Sequence, residues 1–326
     1  MKHGRHTISS RTIEGIEVVE PVAAIAVDNR QGAAQIAEQA ADLMIRRAEA
    51  SRASSPQEFR RDLRDFGWSL IHAQPVMAPL VNLVNRVLWA IEEPQSLQDL
   101  IRAVVEVAEG FKHQLRQHAL HVAEGALTLI SDGITIVTLS YSTTVQHALR
   151  HAQRAGRRFR VVCGESRPIL EGRQTAAILA EYGIPTQLVI DAELPAHIAQ
   201  AQLVIVGADM LSTQGLVNKV GTYGMALAAH AKGVGFYALC GSEKFVLPGF
   251  RPLEQLDRPR SEIWAEAPPN VHIRNRYFDV TPLELLSGIV TERGVLPVAA
   301  IEAWLASTHL HPALAHEQQG QMVETP

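Results

Sequence analysis

Cysteine is almost missing from this chain: Cys163 and Cys240 are the only two in 326 residues. A disulfide framework is therefore excluded, and buried thiols in a reducing compartment are the expected state. An excess of one charge is missing too. With 30 basic and 34 acidic residues the net charge is −4, which gives no general attraction to nucleic acid. The one basic cluster, Arg154 to Arg160, reads as a solvated helix end running into a strand. No apolar run approaches the roughly 20 residues that span a bilayer. The opening MKHGRHTISSRTIEG is polar and has no apolar core of a signal peptide. These absences predict a cytoplasmic protein with no membrane partner and no direct contact with nucleic acid. The phosphate-loop glycines of GxGxxG and P-loop signatures are absent as well, which disfavours a dinucleotide or a nucleoside triphosphate. Fourteen histidines are scattered without metal-ligand spacing. The nearest approach, His147 and His151, lacks a carboxylate partner, so neither a metal nor another cofactor is expected.

What the chain does have is an alternation of strand-length apolar runs with helix-length segments. Ile134 to Leu139, Arg160 to Cys163, Gln187 to Ile190, Leu203 to Val206 and Phe236 to Leu239 are such runs. That pattern predicts βαβ units and a parallel sheet buried on both faces. Before Asp132-Gly133 the chain reads as helical. Segments from Gly32 to Ala50, Ser55 to His72, Val76 to Ile91 and Ser96 to about Ile130 follow a polar lead-in of about 28 residues, and Asp28-Asn29 reads as a cap. The expected organisation is a helical domain over 1–130 and an α/β domain over 131–308. A tail over 309–326 has no apolar face and is expected to be disordered. Near the end, Phe250 to Pro269 reads as an irregular excursion, Asn275 to Pro282 as a short strand and turn, and Leu283 to Thr291 and Pro297 to Ser307 as helices.

In an open α/β sheet a ligand sits beyond the carboxyl ends of the strands, and three polar clusters fall there. Thr138 to Thr144 (TLSYSTT) is a hydroxyl-rich turn before a helix, with Ser140 and Ser142 within it. It suits a phosphate or plain N-capping. Glu165-Ser166-Arg167-Pro168 offers either an ion pair bracing the loop or an anion-binding arginine. Gly207-Ala208-Asp209 ends an apolar strand, where a carboxylate is partly desolvated and its pKa raised, as a general acid or base requires. Asn218-Lys219 is read as opening the helix to His230, a cation at a helix N-terminus.

At these residues the sequence resembles a known family. ESRP and EG (Glu165 to Gly172), YGIPTQLVIDAEL, VIVGADM, NKVGTYGMALAA, FYALCGSEKF and DVTPLELLSGIVTERGVLP are similar to the α, β and δ regulatory subunits of translation initiation factor 2B. The same family holds aldose-1-phosphate isomerases, which act on ribose 1,5-bisphosphate or methylthioribose 1-phosphate. The resemblance runs from about Asp28 to Ser307. It implies a helical N-terminal domain, a Rossmann-like parallel-sheet domain, and dimers.

The resemblance also implies roles for residues. The isomerases use a Cys on the first strand's exit turn and the Asp of the GAD motif; here the Asp is Asp209 and the Cys position holds Ser140. Their Arg-Gly-Ala is Gln31-Gly32-Ala33 in this chain, and their Arg-Pro-Thr is Gln74-Pro75-Val76. These departures favour a non-catalytic, factor 2B α-like protein that binds a phosphorylated sugar or nucleoside monophosphate, forms a homodimer and has a translation-factor partner. The alternative is an aldose-1-phosphate to ketose-1-phosphate isomerase. In it Asp209 is the acid or base, Ser140 stands at the Cys position, and Ser142, Glu165, Arg167, Asn218 and Lys219 hold substrate.

Overall fold

The computed structural model describes residues 10–13, 16–28, 31–250, 257–305 and 308–315. A short antiparallel hairpin, β1 (Ser10–Ile13) and β2 (Ile16–Val19), leads into α1 (Glu20–Val27). The described part of the polar lead-in thus carries a hairpin and a helix. Val22 and Ile25 are buried among the helices that follow, and that contact fixes α1 in place.

Four helices build the first layer: α2 (Ala33–Glu49), α3 (Pro56–Ala73), α4 (Ala78–Ala90) and α5 (Leu97–Leu127). Their starts follow local chemistry. Ser55 Oγ accepts the Glu58 N–H at 3.2 Å with Pro56 at the first helical position, and Ser96 Oγ accepts the Asp99 N–H at 3.1 Å. On α2 the residues Ile36, Ala37, Ala40 and Met44 are buried on one face, as 3.6-residue periodicity requires. Ahead of α2, Asp28 Oδ1 accepts the Gln31 N–H, but the N-cap itself is Gly32; Asn29 lies outside the described residues.

Helix α5, 31 residues and about 46 Å long, joins two cores. Leu100, Val104, Phe111 and Leu115 pack among the helices. Val122, Ala123 and Ala126 pack on the sheet. One rigid element therefore sets the helical layer against the α/β layer.

The sheet contains β3 (Thr135–Thr138), β4 (Arg160–Gly164), β5 (Thr186–Val189), β6 (Leu203–Val206), β9 (Gly235–Leu239), β11 (Gly288–Thr291) and β12 (Gly294–Leu296). Its spatial order is β12-β11-β9-β6-β3-β4-β5, parallel except for β12. From β3 the chain winds outward through β4 and β5. It then returns to β6 on β3's other side and winds the opposite way through β9 and β11. This is the order of a doubly wound Rossmann sheet, with its switch point between β3 and β6. Helices α6 (Thr143–Arg154), α7 (Glu171–Glu181), α8 (Leu194–Ile198) and α9 (Thr222–Lys232) make the crossovers. A second, antiparallel sheet of β7 (Met210–Ser212), β8 (Gly215–Lys219) and β10 (Phe278–Thr281) grows from the end of β6. Met210 is buried in the helical core and Leu211 in the sheet core, so this small sheet couples the two layers. The short α10 (Ser261–Trp264) interrupts the irregular excursion, and α11 (Ala299–Leu305) closes the α/β layer.

Three expectations are corrected. Leu283 to Thr291 is a single 3-10 turn followed by β11, not a helix. Ile289 and Val290 are fully buried beside β9, and the β-branched run Ile289-Val290-Thr291 suits that pleated slot. Asn218-Lys219 closes β8 instead of opening α9, whose N-cap is Gly221. Residues 309–315 of the expected disordered tail dock on the helices. The His311 N–H donates to Asn85 Oδ1 at 2.7 Å, and Leu314 is fully buried, so two or three anchoring residues suffice where a continuous apolar face is lacking.

Candidate active site

The carboxyl ends of β3 and β6 diverge at the switch point, and a cleft of ≈ 710 Å³, open mouth included, lies there. The helical layer supplies its other wall through Gln31, Gly32, Gln74 and Met77.

The exit of β3 makes the floor. Ser140 adopts φ +71°, a left-handed conformation that costs a non-glycine residue on the order of 1 kcal/mol. Its backbone is held there from both sides: the N–H donates to Ser166 Oγ and the C=O accepts from Thr175 Oγ1, each at 2.8 Å. The strained turn directs the Ser140 hydroxyl onto Glu171 Oε1, at 2.9 Å. Glu171 opens α7, and the same oxygen receives the Lys219 ammonium at 2.8 Å; the two side chains are 8% and 3% exposed. Tyr277 covers Lys219, with its ring centre 4.8 Å from Nζ. Asn218 Nδ2 donates to Thr222 Oγ1 at 3.0 Å, and that hydroxyl donates to Lys219 O at 2.6 Å, which ties the end of β8 to the start of α9.

Across this group stands Asp209. Its N–H donates to Val217 O and its carbonyl accepts the Ala78 N–H, so the residue is clamped between β8 and α4. Burial pushes its carboxyl up to about 6, assisted by the Glu171 charge and opposed by Lys244 and Lys219. Lys244 is fixed by donating to Ala208 O at 2.7 Å. A carboxyl of this kind changes protonation near neutrality and still faces the cleft.

Two helix N-termini point into the same space. Ser142 caps α6 by accepting the Val145 N–H, and Gly32 caps α2; both first turns contain no acidic residue. The two ends face each other so closely that a Cβ on Gly32 would lie 3.9 Å from the Thr143 nitrogen. Gly207 permits the approach of β6 to this turn, since a Cβ there would stand 2.5 Å from Ser142 Oγ. Paired positive helix ends favour phosphate groups.

Of the residues singled out from sequence, Asp209, Ser140, Ser142, Asn218 and Lys219 all line the cleft. Glu165 and Arg167 do not. Glu165 pairs with Arg173 at 2.9 Å, and the exposed Arg167 reaches the carbonyls of Glu262 and Ile263. Sequence reasoning passed over Glu171 and Arg258, and took Lys244 only as part of the polar exit of a strand. Arg258, from the irregular excursion, donates to Gln74 Oε1 at 3.5 Å. A guanidinium therefore stands beside Gln74, where the isomerase resemblance implied a lost arginine. The two thiols lie elsewhere: Cys163 is buried and pushed up to about 12, and Cys240 is buried and pushed higher still, in both cases chiefly by desolvation.

A Rossmann-ordered sheet with a polar cleft at its switch point places the chain among the doubly wound α/β proteins. More narrowly, the chain belongs to the initiation factor 2 subunit (IF-2B) family, whose model matches residues 29–298. It is 30% identical to a Methanocaldococcus jannaschii protein named ribose 1,5-bisphosphate isomerase, over 74% of this chain and 79% of that one. It is 32% identical to a Pyrococcus horikoshii protein named putative translation initiation factor eIF-2B subunit 2-like, over 82% and 91%. A crystal structure of the Pyrococcus horikoshii translation initiation factor eIF-2B superposes with a TM-score of 0.74 at 30% identity, over 85% of this chain and 96% of that one. No helix among the described residues is long and apolar enough to cross a membrane.

Proposed function

We propose that this protein is a sugar-phosphate isomerase, converting an aldose 1-phosphate of the ribose 1,5-bisphosphate class into the corresponding ketose 1-phosphate. The observation that carries this reading is the Asp209 carboxyl, its pKa raised to about 6, facing the Ser140–Glu171–Lys219 group across a polar cleft. The reaction moves a hydrogen from C2 to C1, a proton onto the ring oxygen and a proton off the C2 hydroxyl. It therefore needs acid–base groups on both sides of the sugar. The two helix ends suit the two phosphates, and Lys244 and Arg258 add positive charge to the lining. Relatives named ribose 1,5-bisphosphate isomerase support the same substrate class. A cytoplasmic homodimer completes the reading, supported by Val220, Tyr223, Leu227 and Val280, exposed on and beside α9 and β10.

A second reading keeps the ligand and drops the turnover: a sugar-phosphate- or nucleoside-monophosphate-binding regulatory subunit with a translation-factor partner. The hydroxyl at Ser140 favours it, since the family's isomerases carry a thiol there and both thiols of this chain are buried and protonated. Calorimetry with ribose 1,5-bisphosphate, methylthioribose 1-phosphate and AMP, followed by NMR of each bound compound, separates the two. Formation of a ketose phosphate supports the isomerase. Tight binding of AMP or a sugar phosphate with no product supports the regulatory subunit.

A further inference from the structure

A serine hydroxyl alone is far too weak an acid or base to stand in for a thiol. Ser140 is not alone. Its Oγ–H donates to Glu171 Oε1 at 2.9 Å, and the residue lines the cleft. Glu171 is nine-tenths buried, yet its second oxygen, Oε2, is sealed from solvent and has no hydrogen-bond partner among the described residues. A buried carboxylate oxygen without a partner is costly to maintain. Here it leaves Glu171 with a carboxylate oxygen whose hydrogen-bonding capacity is unused.

We infer that Ser140 and Glu171 form a proton relay that replaces the family's thiol, with Ser140 as the catalytic residue touching the sugar and Glu171 as the base acting through it. The inference rests on the isomerase reading and names that reaction's second acid–base group. Asp209, protonated, gives its proton to the ring oxygen as the bond from that oxygen to C1 breaks. The hydrogen on C2 passes with its bonding electron pair, as a hydride, to the electron-deficient C1. The C2 hydroxyl gives its proton to Ser140 Oγ while the Ser140 proton moves to Glu171, and the C2 oxygen becomes the ketone. Serine is never left as an alkoxide. Asp209 ends ionised and Glu171 protonated, and one proton returned from Glu171 to Asp209 resets the site. The groups facing Glu171 are Ser140 from the β3 exit, Lys219 from β8, Asp209 from the β6 exit and, behind it, the protonated Cys163 thiol.

The test is steady-state turnover of ribose 1,5-bisphosphate by the full chain and its variants, with binding measured in parallel. Ser140→Gly keeps the Glu171–Lys219 pair and relieves the positive φ, so it folds; Glu171→Gln removes the base, and Glu171→Asp restores it at shorter reach. The relay predicts that Ser140→Gly and Glu171→Gln each lower kcat about 10²–10⁴-fold with Kd changed less than about 3-fold. It also predicts partial recovery of kcat in Glu171→Asp. If the wild type turns over and both variants stay within about 3-fold of its kcat, the relay is wrong and the isomerase stands. Losses confined to Kd also overturn the relay, assigning both residues to binding. If the wild type binds the sugar and yields no product, the isomerase reading fails and the relay falls with it.

Discussion

Glu171 Oε1 lies 2.9 Å from the Ser140 hydroxyl and 2.8 Å from the Lys219 ammonium, and these contacts join the ends of two strands to the first residue of a helix. The residue at the thiol position is thus one end of a charged, buried chain, and Asp209 stands across the cleft from it.

The raised pKa of Asp209 has a kinetic and a thermodynamic consequence. As the acid, it must be protonated, so kcat/KM falls as pH rises through about 6. A profile that instead falls as pH drops through 6 assigns it as the base. Because its folded-state pKa exceeds the unfolded value of 3.8, its stabilising contribution is full below about pH 4 and is lost as pH rises through 6. Asp209→Asn should therefore abolish turnover, yet at pH 8 be more stable than wild type by up to about 3 kcal/mol, a gain absent at pH 4. Chemical denaturation at the two pH values checks it.

The thiols should be bystanders. Cys163 and Cys240 are fully buried, and burial holds both protonated. The double variant Cys163→Ala, Cys240→Ala should keep kcat within about 3-fold, and iodoacetamide should leave the folded wild type unmodified. Inactivation by alkylation would place a thiol in the chemistry.

Arg258 should serve substrate binding. Removing it should raise KM for a sugar bisphosphate about 10-fold or more, the worth of one charged hydrogen bond, with kcat little changed. Lysine should restore only part, because it lacks the guanidinium's planar fork. A fall in kcat at unchanged KM would contradict the assignment. Initial rates over a range of substrate concentrations decide between them.

Gly172 allows Glu171 to reach its place. A Cβ there would sit 1.8 Å from Gly164 O, an impossible contact with backbone. Gly172→Ala must push the start of α7 away from β4, costing about 1–3 kcal/mol or more and lowering kcat by displacing Glu171. Thermal melts and turnover of the same sample measure both effects.

The sheet was legible because its strands are buried on both faces and so read as continuous apolar runs; β3, β4, β6 and β9 each fall within a residue or two of expectation. Segment 283–291 was not, because a short apolar run has no periodicity of its own and its neighbours β9 and β12 decide its form. Within the site, Asp209, Ser140, Asn218 and Lys219 were found by their place at strand ends. Position at a strand end does not set where a side chain points, which is why Glu165 and Arg167, from the same turn as the buried Ser166, face away from the cleft. Glu171 looked like an ordinary first-turn acid, and its role depends on Lys219, 48 positions away in sequence. Lys244 carried a readable signal, since it follows β9 in a polar strand exit. Arg258 carried none, because an irregular segment has no pattern from which its path can be inferred.

The most direct measurement is a ³¹P and ¹³C NMR time course of ribose 1,5-bisphosphate with the wild-type chain, alongside Asp209→Asn. The isomerase account predicts loss of the anomeric C1 signal and growth of a ketone C2 signal in the wild type alone, with both phosphates retained. An unchanged spectrum in the presence of saturating, demonstrably bound sugar would contradict it and leave a binding protein.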